Sequence, residues 1–342
     1  MTPLNIAVVG AGNIGTAMAA LMGRGQAHLT VTARGSRLIE VTEHGVTLLD
    51  RGTKHHARPR AVERLSEVQD AIFFCVKAHQ LPQAVADNAA GIGPNTLIIP
   101  MVNGLPFWFF ADHTAPPQTV PHVDPHALLA AHVTPHRVLG AVLLMTVRMG
   151  ADGVAISTNT PTLSLGTATE QTDHAALARL VETLNSCGIK TDITDAIRLK
   201  VLVKLLANIT TNPLSALLDC HLSTISSDPE LRALACAVAD PFRAWAKALG
   251  HDLPSNDWLI DLCLDAGDFP TSMLQDARAG RRLELDAIAR APRDLGIAAG
   301  MPTPTLDAII AALNTAPSLP LPQDHRAAAR RALLESICFE RT

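Results

Sequence analysis

The 342-residue sequence predicts an α/β half followed by an all-α half, and three observations carry that expectation. Short runs rich in Val, Ile and Leu alternate with helix-like stretches through the first half, the pattern of βαβ units. A glycine turn, Gly10–Gly15, joins the first apolar run to the first helical one. From Asp195 the texture changes to long Ala- and Leu-rich segments at helical spacing. The expected domains are therefore residues 1–194 and 195–342.

Taken in order, Asn5–Val9, His28–Ala33, Ala71–Val76, Thr96–Val102 and Val138–Val147 read as strands. Ile14–Arg24 and Leu81–Ala90 read as helices between them, so the sheet is parallel with both faces covered. Gly45–Asp50 and Lys54–Val62 suggest an extra hairpin beside it, and Gly153–Ser157 and Thr162–Gly166 look like closing strands. The second domain predicts helices over Asp195–Leu218, Glu230–Leu249, Ser272–Arg290 and Thr305–Asn314, punctuated by Pro213, Gly250, Pro254, Pro270 and Pro302.

Composition removes several function classes. With 28 Lys plus Arg against 32 Asp plus Glu, the net charge of −4 gives no basic footprint for nucleic acid. At 48% hydrophobic and 18% charged, the chain has material for sizeable cores. Aromatics are only 3%, which argues against a binder that stacks on bases or sugars. The six cysteines lie far apart in mostly apolar runs and read as buried free thiols. Leu4–Val9 runs straight into the glycine turn, so no signal peptide or membrane anchor is expected, and the location is read as cytoplasmic. Residues 111–137 hold several prolines and His113, His122, His126, His132 and His136 at irregular spacing. Without cysteine or paired acids this reads as a solvated loop, and no metal is expected.

Gly10-Ala11-Gly12-Asn13-Ile14-Gly15 matches G-x-G-x-x-G after a strand and before a helix, the context that gives this pattern meaning. Gly10 permits the tight turn, Gly12 lets backbone approach a pyrophosphate, and Gly15 lets helix and strand pack closely. The first half thus reads as a Rossmann-like dinucleotide-binding domain. An NAD site places an acid near the end of the second strand. Here that strand ends in Arg34, with Arg37 close behind and no acid until Glu40. A guanidinium there suits a 2′-phosphate, so NADP is the expected cofactor.

Lys204, Asn208 and Asn212 recur every four residues among Val201, Leu202, Leu205, Leu206 and Ile209, placing three polar groups on one helical stripe. A buried lysine there has its pKa lowered toward the working pH and suits proton donation, whereas a solvated stripe means nothing. Both readings stay open on this pattern alone. Pro213 predicts that the helix kinks or ends at Asn212. Asn103-Gly104 and Lys77 each follow a strand, where the carboxyl edge of an open α/β sheet meets its ligand.

In this order these pieces resemble the ketopantoate reductase family. The resemblance rests on G-A-G-N-I-G at Gly10–Gly15, V-K-A-H-Q at Val76–Gln80 and N-G at Asn103–Gly104. It continues in K-L-L-A-N-I-T-T-N-P-L at Lys204–Leu214 and S-M-L-Q-D-A-R-A-G-R-R-L-E-L-D at Ser272–Asp286, the two most specific stretches. It implies NADPH-dependent reduction of a 2-oxo acid to a 2-hydroxy acid, ketopantoate to pantoate being the best-known case, in pantothenate biosynthesis. The active site would lie in a cleft between the domains.

By the same resemblance Lys204 protonates the carbonyl oxygen, and Asn208, Asn212 and Ser272 match substrate-binding positions. Asn103 contacts cofactor and substrate, Lys77 and Glu284 lie near the nicotinamide ribose, and Glu284 orients Lys204. On helical geometry Ser272 also reads as a cap, with Gln275 three residues on. Phe107-Trp108-Phe109-Phe110 depart from the family's best-known members; packing is the expected role for most, and one lining the pocket would change which 2-oxo acid fits. The alternatives are a related dehydrogenase for another oxo acid or imine, and an NADP-binding sensor without turnover. Retention of Lys204, Asn208, Glu284 and Asn103 argues against the sensor. The sequence leaves a homodimer open.

Overall fold

A computed structural model describes residues 2–112 and 119–338. His113 lies outside these residues. The chain divides into two compact units: Met1–Val102, Pro106–Val120 and Asp124–Arg198 in the first, and Asn103–Leu105, Pro121–Val123 and Leu199–Thr342 in the second.

The first unit runs β1 (Asn5–Val9), α1 (Asn13–Met22), β2 (His28–Thr32), α2 (Gly35–His44), β3 (Val46–Asp50), β4 (Thr53–Ala57), β5 (Arg60–Val62), β6 (Ala71–Phe74), α3 (Leu81–Asp87) and β7 (Leu97–Pro100). It continues through α4 (Leu128–His132), β8 (Leu139–Leu144), β9 (Val147–Met149), β10 (Ala155–Ser157), β11 (Thr162–Thr167), α5 (His174–Ser186) and β12 (Lys190–Ile193). Five strands form a parallel sheet in the order β5-β2-β1-β6-β7. β1 and β6 are buried on both faces (Ile6, Val8, Ile72, Phe73), which is why they read as continuous apolar runs. Met18, Leu21 and Met22 of α1 complete the core beneath them.

The predicted hairpin forms only in part. β3 and β4 pair antiparallel around Arg51-Gly52, whose φ values of +46° and +86° make the tight turn. Pro59 has no N–H to give that ladder, and Arg60–Val62 instead joins the main sheet parallel to β2. The closing strands divide as well. β10 lies between β3 and β9, while β11 lies between β8 and β12.

The aromatic run is core. Trp108, Phe109 and Phe110 are buried and Phe107 half-buried; the rings of Phe109 and Phe110 meet edge-on, with centroids 5.0 Å apart. Arg198 stacks over Trp108 at 5.8 Å and donates to the carbonyls of Phe109 (2.9 Å) and Ala168 (2.7 Å). The guanidinium thus fastens the run to β11's exit.

The helical part comprises α6 (Ile197–Leu218), α7 (Leu222–Ser227), α8 (Pro229–Ala248), α9 (Asn256–Ala266), α10 (Ser272–Arg278), a π turn (Asp286–Arg290), α11 (Ala291–Ala298), α12 (Pro304–Thr315) and α13 (Gln323–Cys338). α6 keeps close to the expected span, passing through Pro213 to Leu218 rather than ending at Asn212. Thr210 and Thr211 in that turn donate side-chain bonds to the carbonyls of Leu206 (2.8 Å) and Ala207 (2.7 Å), and buried packing on both sides of the proline holds the helix. The single helix over Ser272–Arg290 is broken: the chain leaves α10 at Gly280, with φ +62°, and re-forms helix only from Leu285. α6 is also long and apolar enough to cross a membrane, but 78% of its most apolar window is buried inside the protein, as in a core helix.

Candidate active site

In the first unit the chain turns after β1 at Gly10, where φ is +100°. The Gly10 N–H donates to the Thr32 carbonyl at 3.2 Å, tying the turn to the end of β2. A Cβ on Gly15 would stand 1.8 Å from the Gly10 oxygen, so only glycine allows α1 to pack this close. Ala11 is buried, and Ile14 packs against the core. Asn13 opens α1 and donates its amide to the Val147 carbonyl at 3.3 Å. Gly12 caps α1 in extended backbone without a side-chain acceptor, and a Cβ there would meet nothing within 4 Å. Helix N–H groups with an open approach suit a diphosphate, so the turn fits a dinucleotide.

Three features near this turn escaped the sequence. Arg37 is not a free surface cation: it donates to the Ala11 carbonyl (3.1 Å) and Thr16 hydroxyl (2.8 Å) and pairs with Glu40 at 2.6 Å, bracing the turn from behind. Arg34 begins α2, with 59% of its side chain exposed, and pairs with Asp87 from the end of α3. The acid missing from the end of β2 is thus supplied from elsewhere in the chain. Lys77 precedes a single 3-10 turn, Ala78–Gln80, its N–H donating to Gln80 Oε1 at 3.1 Å.

In the second unit, Lys204 and Asn208 are half-buried and Asn212 buried, one turn apart along α6. Lys204 sits where burial dominates: desolvation lowers its pKa to about 8, while the nearby Glu284 carboxylate pulls it back up. Glu284 itself is buried, on the non-helical stretch just before the π turn. The stripe therefore belongs to a packed interior in which its lysine has a charged partner.

Asn103 and Gly104 leave β7 and pack with the helical unit. The Leu105 N–H donates to the Ala287 carbonyl at 2.8 Å. Gly104 has φ +91°, and a Cβ on it would lie 2.5 Å from Ala287 backbone. Asn103 is thereby held against the π turn that follows Glu284. Such one-residue widenings of a helix recur at functional sites.

Ser272 is exposed, and it is not the cap. Thr271 caps α10, its hydroxyl accepting from the Leu274 N–H at 3.1 Å and lying 2.6 Å from the Ser215 hydroxyl, which donates to the Asn212 carbonyl at 3.0 Å. A Thr before Ser at a helix start was the available signal. This bond chain ties Ser272's helix to the end of the polar stripe. Within the loop, the Nε2 of His122 lies 2.5 Å from Asp294. Among the described residues no group of three or more His, Cys, Asp or Glu is placed to hold a metal.

The model of the ketopantoate reductase PanE/ApbA family matches residues 6–170, and that of its C-terminal domain matches residues 196–316. A 2-dehydropantoate 2-reductase of Mesorhizobium japonicum is 33% identical over 315 residues, covering 90% of this chain and 96% of its own. A crystal structure from Ralstonia solanacearum, assigned as a ketopantoate reductase, has a TM-score of 0.85 and 30% identity, covering 92% of this chain and 97% of its own. D-mandelate dehydrogenase bound to NADH and anilino(oxo)acetate shares the fold, with a TM-score of 0.77 at 19% identity over 96% of this chain and 99% of its own.

Proposed function

Because the chain belongs to the ketopantoate reductase family, we propose that it reduces a 2-oxo acid to a 2-hydroxy acid with NADPH, the substrate being 2-dehydropantoate (ketopantoate) and the product pantoate. The observation that carries this reading is Lys204, desolvated beside Glu284 with its pKa near 8. A group so poised gives up a proton readily near neutral pH and still carries its charge there.

The reduced nicotinamide, when bound, supplies the hydride. Lys204 Nζ gives its proton to the substrate's carbonyl oxygen, and its charge stabilises the oxyanion as it develops. Glu284 keeps Lys204 protonated and lies near the cofactor's ribose. Asn208 and Asn212, on the same stripe, orient the substrate, with Ser272 at its rim. Asn103, braced through Gly104, contacts cofactor and substrate. The Gly10–Gly15 backbone holds the diphosphate, Arg34 the 2′-phosphate, and Lys77 the nicotinamide-side ribose.

The enzyme on this reading is cytoplasmic, needs no metal or nucleic acid, and pairs with a second copy. Sedimentation equilibrium tests that pairing. For the reaction, purified protein is given NADPH and a panel of 2-oxo acids, and consumption is followed by the loss of nicotinamide absorbance. Rapid oxidation with ketopantoate supports the proposal. Activity confined to another oxo acid overturns the substrate, and tight NADPH binding with no turnover overturns the enzyme reading.

A further inference from the structure

The carboxyl edge of the parallel sheet holds more charge than the 2′-phosphate reading uses. β2 and β5 pair in parallel with Thr32 opposite Val62. Arg34 and Arg64 each lie two residues beyond that pair, so both leave neighbouring strands at the same edge. Both are exposed. It is the edge at which Gly10 turns, bonded to Thr32, and ligands of open α/β sheets bind outside it.

Asp87, at the end of α3, pairs with Arg34 at this edge and lies within reach of the charge of Arg64. It is only 12% exposed in its side chain and accepts a hydrogen bond from the Gln83 amide at 2.8 Å. The Gln83 bond most, then Arg34 and the charge of Arg64, hold its carboxyl below the usual carboxylate range against the effect of burial. Asp87 is therefore ionised at neutral pH, and it occupies Arg34, the cation assigned to the 2′-phosphate.

We propose that Arg64 joins Arg34 as a second cation for the cofactor's 2′-phosphate, and that Asp87 is a competing carboxylate which the phosphate must displace from Arg34. The inference rests on the assignment of the 2′-phosphate to Arg34 made above. With Asp87 in place the cluster of Arg34, Arg64 and Asp87 carries a single net positive charge. Removing its negative member exposes both guanidinium groups to the dianion, and removing Arg64 leaves one cation already paired. A ligand without the phosphate has nothing to gain from either change. Asp87 thus sets how strongly the site distinguishes phosphorylated from unphosphorylated dinucleotides.

The test is calorimetric binding of adenosine 2′,5′-bisphosphate and 5′-AMP to the full chain and its variants. Arg64→Ala should weaken the bisphosphate by roughly fivefold and Asp87→Asn tighten it by a similar factor, as expected for charge pairs partly screened by water. 5′-AMP should bind all forms alike. Asparagine keeps the size of Asp87 and a partner for Gln83, and Arg64 is exposed, so both variants should fold. Arg34→Ala separates the levels of the argument. If it weakens the bisphosphate while Arg64→Ala and Asp87→Asn do not change it, the phosphate site stands and the proposal falls. If Asp87→Asn binds the bisphosphate more weakly, Asp87 positions Arg34 rather than competing for it, and the proposal also falls. If Arg34→Ala has no effect, both the phosphate assignment and the proposal are wrong.

Discussion

Replacing Glu284 by Gln removes a charge at constant size beside the proposed acid. Burial lowers Lys204 from the ordinary 10.5 to about 8. At about 1.4 kcal/mol per unit, that is a net bias of roughly 3 kcal/mol against its charged form. The bias would be larger without Glu284, whose charge opposes it. An opposite charge at close range commonly holds a pKa one or more units away from its unpaired value, so the variant's lysine should titrate near about 7.

The sign follows from the role. A proton donor works while protonated, so kcat/KM should be flat on the acid side and fall as pH rises through the lysine pKa, about 8 in the native protein. In Glu284→Gln the fall should begin about one pH unit lower. At pH 8 the protonated fraction drops from about half to about a tenth, a further loss of about fivefold on top of any pH-independent defect. The assay is kcat/KM for ketopantoate across pH at saturating NADPH, for both proteins. A descending limb that does not move in the variant refutes the pairing of Glu284 with Lys204.

Lys204→Ala should lower kcat by a factor of roughly 100 or more while NADPH affinity, read by fluorescence titration, stays close to native; unchanged turnover would remove it as the acid. Gly104→Ala forces a Cβ to 2.5 Å from Ala287 backbone at φ +91° and should cut kcat/KM at least tenfold by displacing Asn103. Gly250→Ala, at φ +84° with nothing within 4 Å, is the control for backbone strain alone, and equal effects on activity would show that the Ala287 contact does not matter. Phe109→Ala should cost about 3–5 kcal/mol in urea unfolding, as for a fully buried aromatic. A stable variant with altered choice among 2-oxo acids would instead place Phe109 at the substrate.

The sequence alone determined the parts whose physical cause is local. The strand-turn-helix context of Gly10–Gly15 follows from backbone sterics, which are the same wherever the segment sits. The apolar runs of β1, β6 and β7 announced buried parallel strands because both faces lose water. The Lys204, Asn208 and Asn212 stripe was visible from helical period, and the order of motifs was enough to suggest the family. Pattern could not say whether that stripe was solvated.

The tertiary structure decided what depends on distant partners. Helical period predicts one helix from Ser272 to Arg290, but the turn at Gly280 and the docking of Asn103–Leu105 on Ala287 break it and hold Asn103 against the π turn beside Glu284. Pro213 left open whether α6 kinks or ends at Asn212, and buried packing on both sides of the proline carries it to Leu218. Asp87 reaches Arg34 across 53 residues of sequence, a pairing that no spacing rule contains. Charge and burial act through space, so the carboxylate that meets Arg34 and the desolvation that tunes Lys204 emerge only when the chain has folded, although the resemblance had already named Glu284 as the partner of Lys204.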